Sequence, residues 1–101
     1  MKKRIKIFYR KNLKMTPGKI AAQCVHAALG LKDSDPMMSV IVLGISDKKF
    51  NENVTWIKDL VNNIYQAENC SNSWYYLVKD LGLTEVPAGT ETVLAIYERE
   101  Q

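Results

Sequence analysis

The stretch Lys14-Met15-Thr16-Pro17-Gly18-Lys19-Ile20-Ala21-Ala22-Gln23-Cys24-Val25-His26-Ala27-Ala28-Leu29-Gly30 holds a helix start, a helix stop and the chain's single histidine. Thr16 is suited to cap a helix N-terminus, and Pro17 fits the first helical position, where its missing N–H is no loss. Gly30 can take the left-handed conformation that ends a helix. A helix over Pro17 to Leu29 is the expectation. At 100° per residue, Lys19, Gln23, His26 and Gly30 fall on one polar stripe, while Ile20, Ala21, Cys24, Ala27, Ala28 and Leu31 cover much of the rest. Such a helix reads as buried, with its stripe lining a cleft.

Working outward, Arg4 to Arg10 alternates Ile5, Ile7 and Tyr9 against Lys6, Phe8 and Arg10, which predicts a strand leading into the helix. On the other side, Asp33-Ser34-Asp35-Pro36 signals a turn. Ser39 to Ile45 is almost continuously apolar, as expected of a strand covered on both faces. From about Asp47 to Ala67, Phe50, Val54, Ile57, Leu60, Val61 and Ile64 recur at helical spacing, with Ser46 or Asp47 as the cap. Trp74 to Val78 and Thr92 to Tyr97 are the remaining strands, the second ending in a charged tail. The order β-α-β-α-β-β, with right-handed crossovers and a final antiparallel pair, predicts a three-layer α/β/α sandwich on a four-stranded mixed sheet.

For a chain of 101 residues one domain over its whole length is the expectation, burying about two-thirds of the unfolded surface. No apolar run approaches the roughly 20 residues that cross a bilayer, and Met1-Lys2-Lys3-Arg4 does not lead into a signal-peptide core, so a cytoplasmic protein is expected. Cys24 and Cys70 form neither a disulfide framework nor a metal spacing and read as free thiols.

The net charge of +3 is unevenly spread: residues 1–19 carry eight basic side chains and no acid, and the remainder carries six basic and eleven acidic ones. The basic N-terminal segment suits a polyanion such as nucleic acid, or else a solvated strand edge on which lysines deter aggregation. A membrane-surface role fits less well, because the segment reads as a strand and turn instead of an amphipathic helix. Its turn, Lys11 to Lys14, opens the helix and adds free backbone N–H groups to the cluster of Arg10, Lys11, Lys14 and Lys19, a favoured setting for an anion.

A second loop, Lys79 to Thr90, would leave the same end of the sheet if the first and third strands run parallel, bringing Lys14, His26, Asp80 and Thr84 together. There is no Gly-x-Gly-x-x-Gly, Walker loop, Cys/His metal set or Gly-x-Ser-x-Gly elbow. Taken one at a time, a lone helical histidine, a turn aspartate and turn threonines are more often structural than catalytic. Residue chemistry by itself reaches an α/β domain with a basic, anion-binding cleft.

The two loops together go further. Lys14 to Gly30 resembles the N-terminal signature of the type 2, archaeal and eukaryotic, peptidyl-tRNA hydrolases, and Asp80-Leu81-Gly82-Leu83-Thr84-Glu85-Val86-Pro87-Ala88-Gly89-Thr90-Glu91-Thr92-Val93-Leu94-Ala95-Ile96 resembles their second one. The resemblance covers nearly the whole chain. It implies an esterase of translation that releases tRNA from peptidyl-tRNA without a metal or organic cofactor, with tRNA as partner and a homodimer as a common state. It implies Lys14, Asp80 and Thr84 as the catalytic group, Lys19, Gln23 and His26 in or beside the cleft, and Arg10, Lys11, Gly89 and Thr90 as further contacts to substrate. Asp80 would orient or deprotonate the attacking water, Lys14 and the helix N-terminus would face the oxyanion or a phosphate, and Thr84 would hold Asp80 or the water. The chain departs from the family pattern at Asn12, at Leu81, at Tyr97-Glu98-Arg99 and in a short connection after Gly30. A non-catalytic RNA- or protein-binding module on the same fold is the alternative expectation.

Overall fold

β1 (Lys3–Arg10) is one of the two inner strands of the sheet and pairs on both sides. In the computed structural model, which describes residues 3–31, 36–68, 75–80 and 89–99, β1 lies parallel to β2 (Val40–Ile45) and antiparallel to β4 (Glu91–Arg99). β3 (Tyr75–Lys79) pairs antiparallel with β4, giving the order β2-β1-β4-β3. The strands β1, β2 and β3 therefore all point the same way, and their carboxyl ends share one edge of the sheet. The turn after β1 and Asp80 at the end of β3 therefore stand at the same edge.

α1 (Pro17–Leu29) packs on β1, β4 and β3, and α2 (Asp47–Glu68) packs on the other face. The connection through α1 moves one strand outward, and the connection through α2 returns across the whole sheet. Crossovers of one hand running in opposite directions place their helices on opposite faces, which yields the expected three layers. The alternation of β1 divides the core accordingly. Ile5 and Ile7 join Ala27, Leu31, Val78, Val93 and Ala95 under α1. Phe8 joins Phe50, Val54, Ile57 and Leu94 under α2.

The helix starts follow the expected chemistry. Thr16 Oγ1 accepts from Lys19 N at 3.4 Å with Pro17 at the first position, and Ser46 Oγ accepts from Lys49 N at 3.3 Å. Asn12 adds to the second start, its Oδ1 accepting from Asp47 N at 3.2 Å.

Three expectations change. β2 is not covered on both faces: it is an edge strand, with Val40 51% and Val42 46% exposed, because the helices lie over the other strands. An apolar run marks a strand but does not say where in the sheet it goes. α1 is likewise not enclosed all round, since Val25 and Leu29 face solvent, Leu29 being 74% exposed. Gly30 ends α1 in the right-handed region, φ −75°, and not in the left-handed one. The reason for glycine here is a close approach: a Cβ would lie 2.2 Å from Cγ of Tyr76. Thr84, Cys70, Trp74, Leu81 and the Asp33–Asp35 turn lie outside the described residues.

Candidate active site

The carboxyl edge of β3 delivers Asp80. On that strand Tyr75 and Leu77 pack toward α2 and Val78 packs toward α1, so alternation turns Asp80 to the α1 side. There it meets two residues of the predicted stripe. Lys19 Nζ stands 2.6 Å from Asp80 Oδ2, with side chains only 13% and 3% exposed. Gln23 Nε2 donates to the same oxygen at 3.0 Å. Two donors converge on one carboxylate oxygen and fix the plane of the group.

The backbone of Asp80 is clamped as well. Asp80 N donates to Thr90 O at 2.9 Å, and Gly89 N donates to Asp80 O at 2.7 Å. Gly89 sits at φ +83°, where a side chain would be strained. Gly89 and Thr90, expected as substrate contacts, are thus placed as the pair that closes the Asp80 loop.

Thr92 completes the cluster, and sequence reasoning missed it. Between the pairs Val78↔Val93 and Lys79↔Glu91, β4 advances two residues while β3 advances one, so Thr92 is the extra residue of a β-bulge. By plain alternation with Val93 under α1, Thr92 would face α2. The bulge turns it to the α1 side, where its fully buried Oγ1 donates to Gln23 Oε1 at 2.8 Å. A hydroxyl just ahead of the apolar run Val93-Leu94-Ala95-Ile96 was the available signal. Buried polar groups are normally paired, and among the described residues no buried side-chain nitrogen or oxygen lacks a partner.

The remaining predicted residues separate into two groups. Arg10 is committed to the scaffold: its Nε reaches Asp47 Oδ1 at 3.0 Å, its Nη1 donates to Glu91 O at 2.9 Å, and its guanidinium lies 5.8 Å from the Phe50 ring centroid. It ties the ends of β1 and β4 to the start of α2. Lys11, Lys14 and His26 are exposed, and among the described residues none of them forms an ion pair. Lys14 caps the 3-10 turn Lys11–Leu13 at φ 54°, a conformation uncommon for a residue with a side chain. The stripe Lys19, Gln23, His26, Gly30 accordingly does not line one cleft: its first half enters the Asp80 cluster and its second half is at the surface. Cys24 is half-buried against the core and burial pushes its thiol up, away from a nucleophilic thiolate.

A mixed α/β sheet that presents a buried, doubly held carboxylate at its carboxyl edge, beside a basic loop and a helix N-terminus, defines a candidate hydrolytic site of acid–base type. The family described as Peptidyl-tRNA hydrolase PTH2 matches residues 4–100, and the chain belongs to that family. It is 39% identical over 93 residues to the Peptidyl-tRNA hydrolase of Methanothermobacter thermautotrophicus, covering 89% of this chain and 80% of the relative. It is 37% identical over 100 residues to a Probable peptidyl-tRNA hydrolase 2 of Dictyostelium discoideum, with 86% of this chain and 43% of the relative covered. A protein of the same description from Caenorhabditis elegans is 32% identical over 102 residues, with 85% of this chain and 29% of the relative covered. The chain thus spans most of the archaeal relative and less than half of each eukaryotic one. No described helix is long and apolar enough to cross a membrane.

Proposed function

We propose that the protein hydrolyses the ester bond of peptidyl-tRNA, releasing free tRNA and peptide. The observation that carries this reading is the buried Asp80 carboxylate, held by Lys19 and Gln23 where the two family motifs meet. An ester with a good leaving group needs a positioned water, a base and a donor for the developing oxyanion. Asp80 serves the water. Lys14 and the N-terminus of α1 are the cationic, donor-rich side of the site, and the left-handed backbone at Lys14 supports a specialised placement of that residue. Thr84, which resembles the family's motif threonine, would hold Asp80 or the water by a hydrogen bond. Lys19 and Gln23 hold Asp80.

The tRNA would be gripped through its phosphates, without base readout, by the exposed Lys11 and Lys14. His26 stands exposed further along α1, where it could reach the same acceptor arm, whereas Arg10, Gly89 and Thr90 contribute by fixing the site. A translation enzyme of this kind works in the cytoplasm. The exposed apolar residues Val25 and Leu29 of α1, with Val40 and Val42 of β2, offer surface for a homodimer, which sedimentation velocity would reveal. No observation favours the non-catalytic module. Release of tRNA from a short N-blocked aminoacyl-tRNA by the pure protein tests the reading. Turnover supports it, and retained tRNA binding without turnover refutes it.

A further inference from the structure

We infer that Thr92 is a positioning residue for Asp80, acting through the side-chain amide of Gln23. The proposal deepens the hydrolase reading and rests on it for its kinetic consequence. Its structural basis is a chain of three buried polar side chains: Thr92 Oγ1 to Gln23 Oε1 at 2.8 Å, then Gln23 Nε2 to Asp80 Oδ2 at 3.0 Å. Thr92, Gln23 and Asp80 are 0%, 6% and 5% exposed.

The direction of each bond matters. An amide presents an acceptor at one end and donors at the other, and a half-turn about its last bond exchanges them. A threonine hydroxyl at the Oε1 end, with a carboxylate at the Nε2 end, leaves one orientation satisfied at both ends. The opposite orientation would set Oε1 against the Asp80 carboxylate. The Thr92 donor also polarises the amide and strengthens its N–H toward Asp80, as linked hydrogen bonds do in a dry site. The fold goes to some length to supply this donor: without the bulge between Val78 and Lys79, Thr92 would face α2 and never reach Gln23.

Among the described residues, the charged groups around Asp80 are these. From α1, Lys19 is in contact. Lys14, ahead of α1, and His26, further along it, are exposed. From the strands, Lys79 and Glu91 lie on the α2 side of the sheet, near Lys58. Lys19 brings a positive charge into contact with Asp80, and the Thr92–Gln23 chain fixes the orientation of the donor beside it.

The experiment compares Thr92→Val, which keeps shape and removes the donor, with Thr92→Ser, which keeps the donor. Two readouts are used: the Asp80 carboxyl 13C titration by NMR, and the acid limb of kcat against pH on N-acetyl-aminoacyl-tRNA. In Thr92→Val both should move up by about half a pH unit, since a carboxylate that loses part of a hydrogen bond is easier to protonate. In Thr92→Ser both should stay at the wild-type position. An unshifted Thr92→Val overturns the proposal.

Because Thr92→Val strands a buried amide oxygen and can fail to fold, the same comparison is made where that oxygen is gone. Gln23→Met should shift the Asp80 titration up, and Gln23→Met with Thr92→Val should shift it no further. A further shift in the double variant means that Thr92 does not act through Gln23, and contradicts the proposal. The NMR titration needs no turnover, so a wild-type protein that fails to hydrolyse substrate would refute the functional reading while this readout still decides the role of Thr92.

Discussion

Lys19 Nζ and Asp80 Oδ2 stand 2.6 Å apart, with almost no solvent around either side chain. Removing one member of such a pair leaves an uncompensated buried charge, which costs about 3–5 kcal/mol. Lys19→Met should accordingly lower stability by several kcal/mol in urea titrations. Lys19→Met combined with Asp80→Asn should recover a large part of that loss, because no buried charge remains. If the double variant is as unstable as the sum of the singles, the pair is not the coupled unit described here.

Gly30 and Tyr76 give a second, independent test of the packing under α1. A methyl at Gly30 would collide with the near end of the Tyr76 ring, not with a tip that could swing aside. Gly30→Ala should destabilise by about 1–3 kcal/mol, the usual cost of overpacking. Adding Tyr76→Ala should remove most of the penalty that Gly30→Ala imposes in that background. Thermal melts of the four proteins close the cycle, and a Gly30→Ala as stable as wild type would contradict the contact.

Which features could be read from the sequence follows from how local their causes are. The α1 start was legible because Thr16 and Pro17 act within one turn, and α2 was legible because Phe50, Val54 and Ile57 repeat at helical spacing. The place of β2 was not, since Val40 to Ile45 is apolar whether the strand is central or at an edge, and only the pairing order decides. In the site, Asp80, Lys19 and Gln23 were singled out through the family motifs. Their direct contact was not foreseen, nor was the position of Thr92. A bulge depends on the relative register of two strands, which no single stretch encodes. The polar stripe of α1 misled over His26 and Gly30, because helical periodicity gives a face without telling where its neighbour stops.

Two paired surface carboxylates, Glu98 on β4 and Asp47 at the start of α2, should contribute to the acid response. Hydrogen bonds from Arg4, and secondarily from Lys6, hold Glu98 below its ordinary range, and the Arg10 hydrogen bond does the same for Asp47. A depressed folded-state pKa contributes stability above the unfolded value and loses it as pH falls through the folded one. The urea midpoint should therefore be flat on the neutral side and decline from roughly pH 4 downward. Glu98→Gln should make that decline shallower. An identical acid decline in Glu98→Gln would exclude Glu98 as a contributor.

Binding of tRNA through phosphates predicts a marked salt dependence. Affinity should fall steeply as salt rises, and Lys11→Ala or Lys14→Ala should each reduce the log–log slope by about one where that lysine neutralises a phosphate. Arg10→Lys should instead act on stability, because it breaks the forked contact with Asp47 and the Glu91 carbonyl. Filter binding across a salt series separates the two classes. A slope unchanged by either lysine variant would remove the basic loop from the interface.

The most direct measurement is single-turnover release of tRNA from N-acetyl-aminoacyl-tRNA by the wild-type protein and by Asp80→Asn. Asparagine keeps the size of the side chain and an oxygen for the Gln23 amide, but it cannot take a proton from water. Turnover by the wild type is expected, with a loss of about a hundredfold or more in Asp80→Asn, measured where that less stable variant is still folded and binds tRNA. A wild-type protein that binds tRNA without releasing it, or an Asp80→Asn variant that turns over at the wild-type rate, would contradict the proposed mechanism.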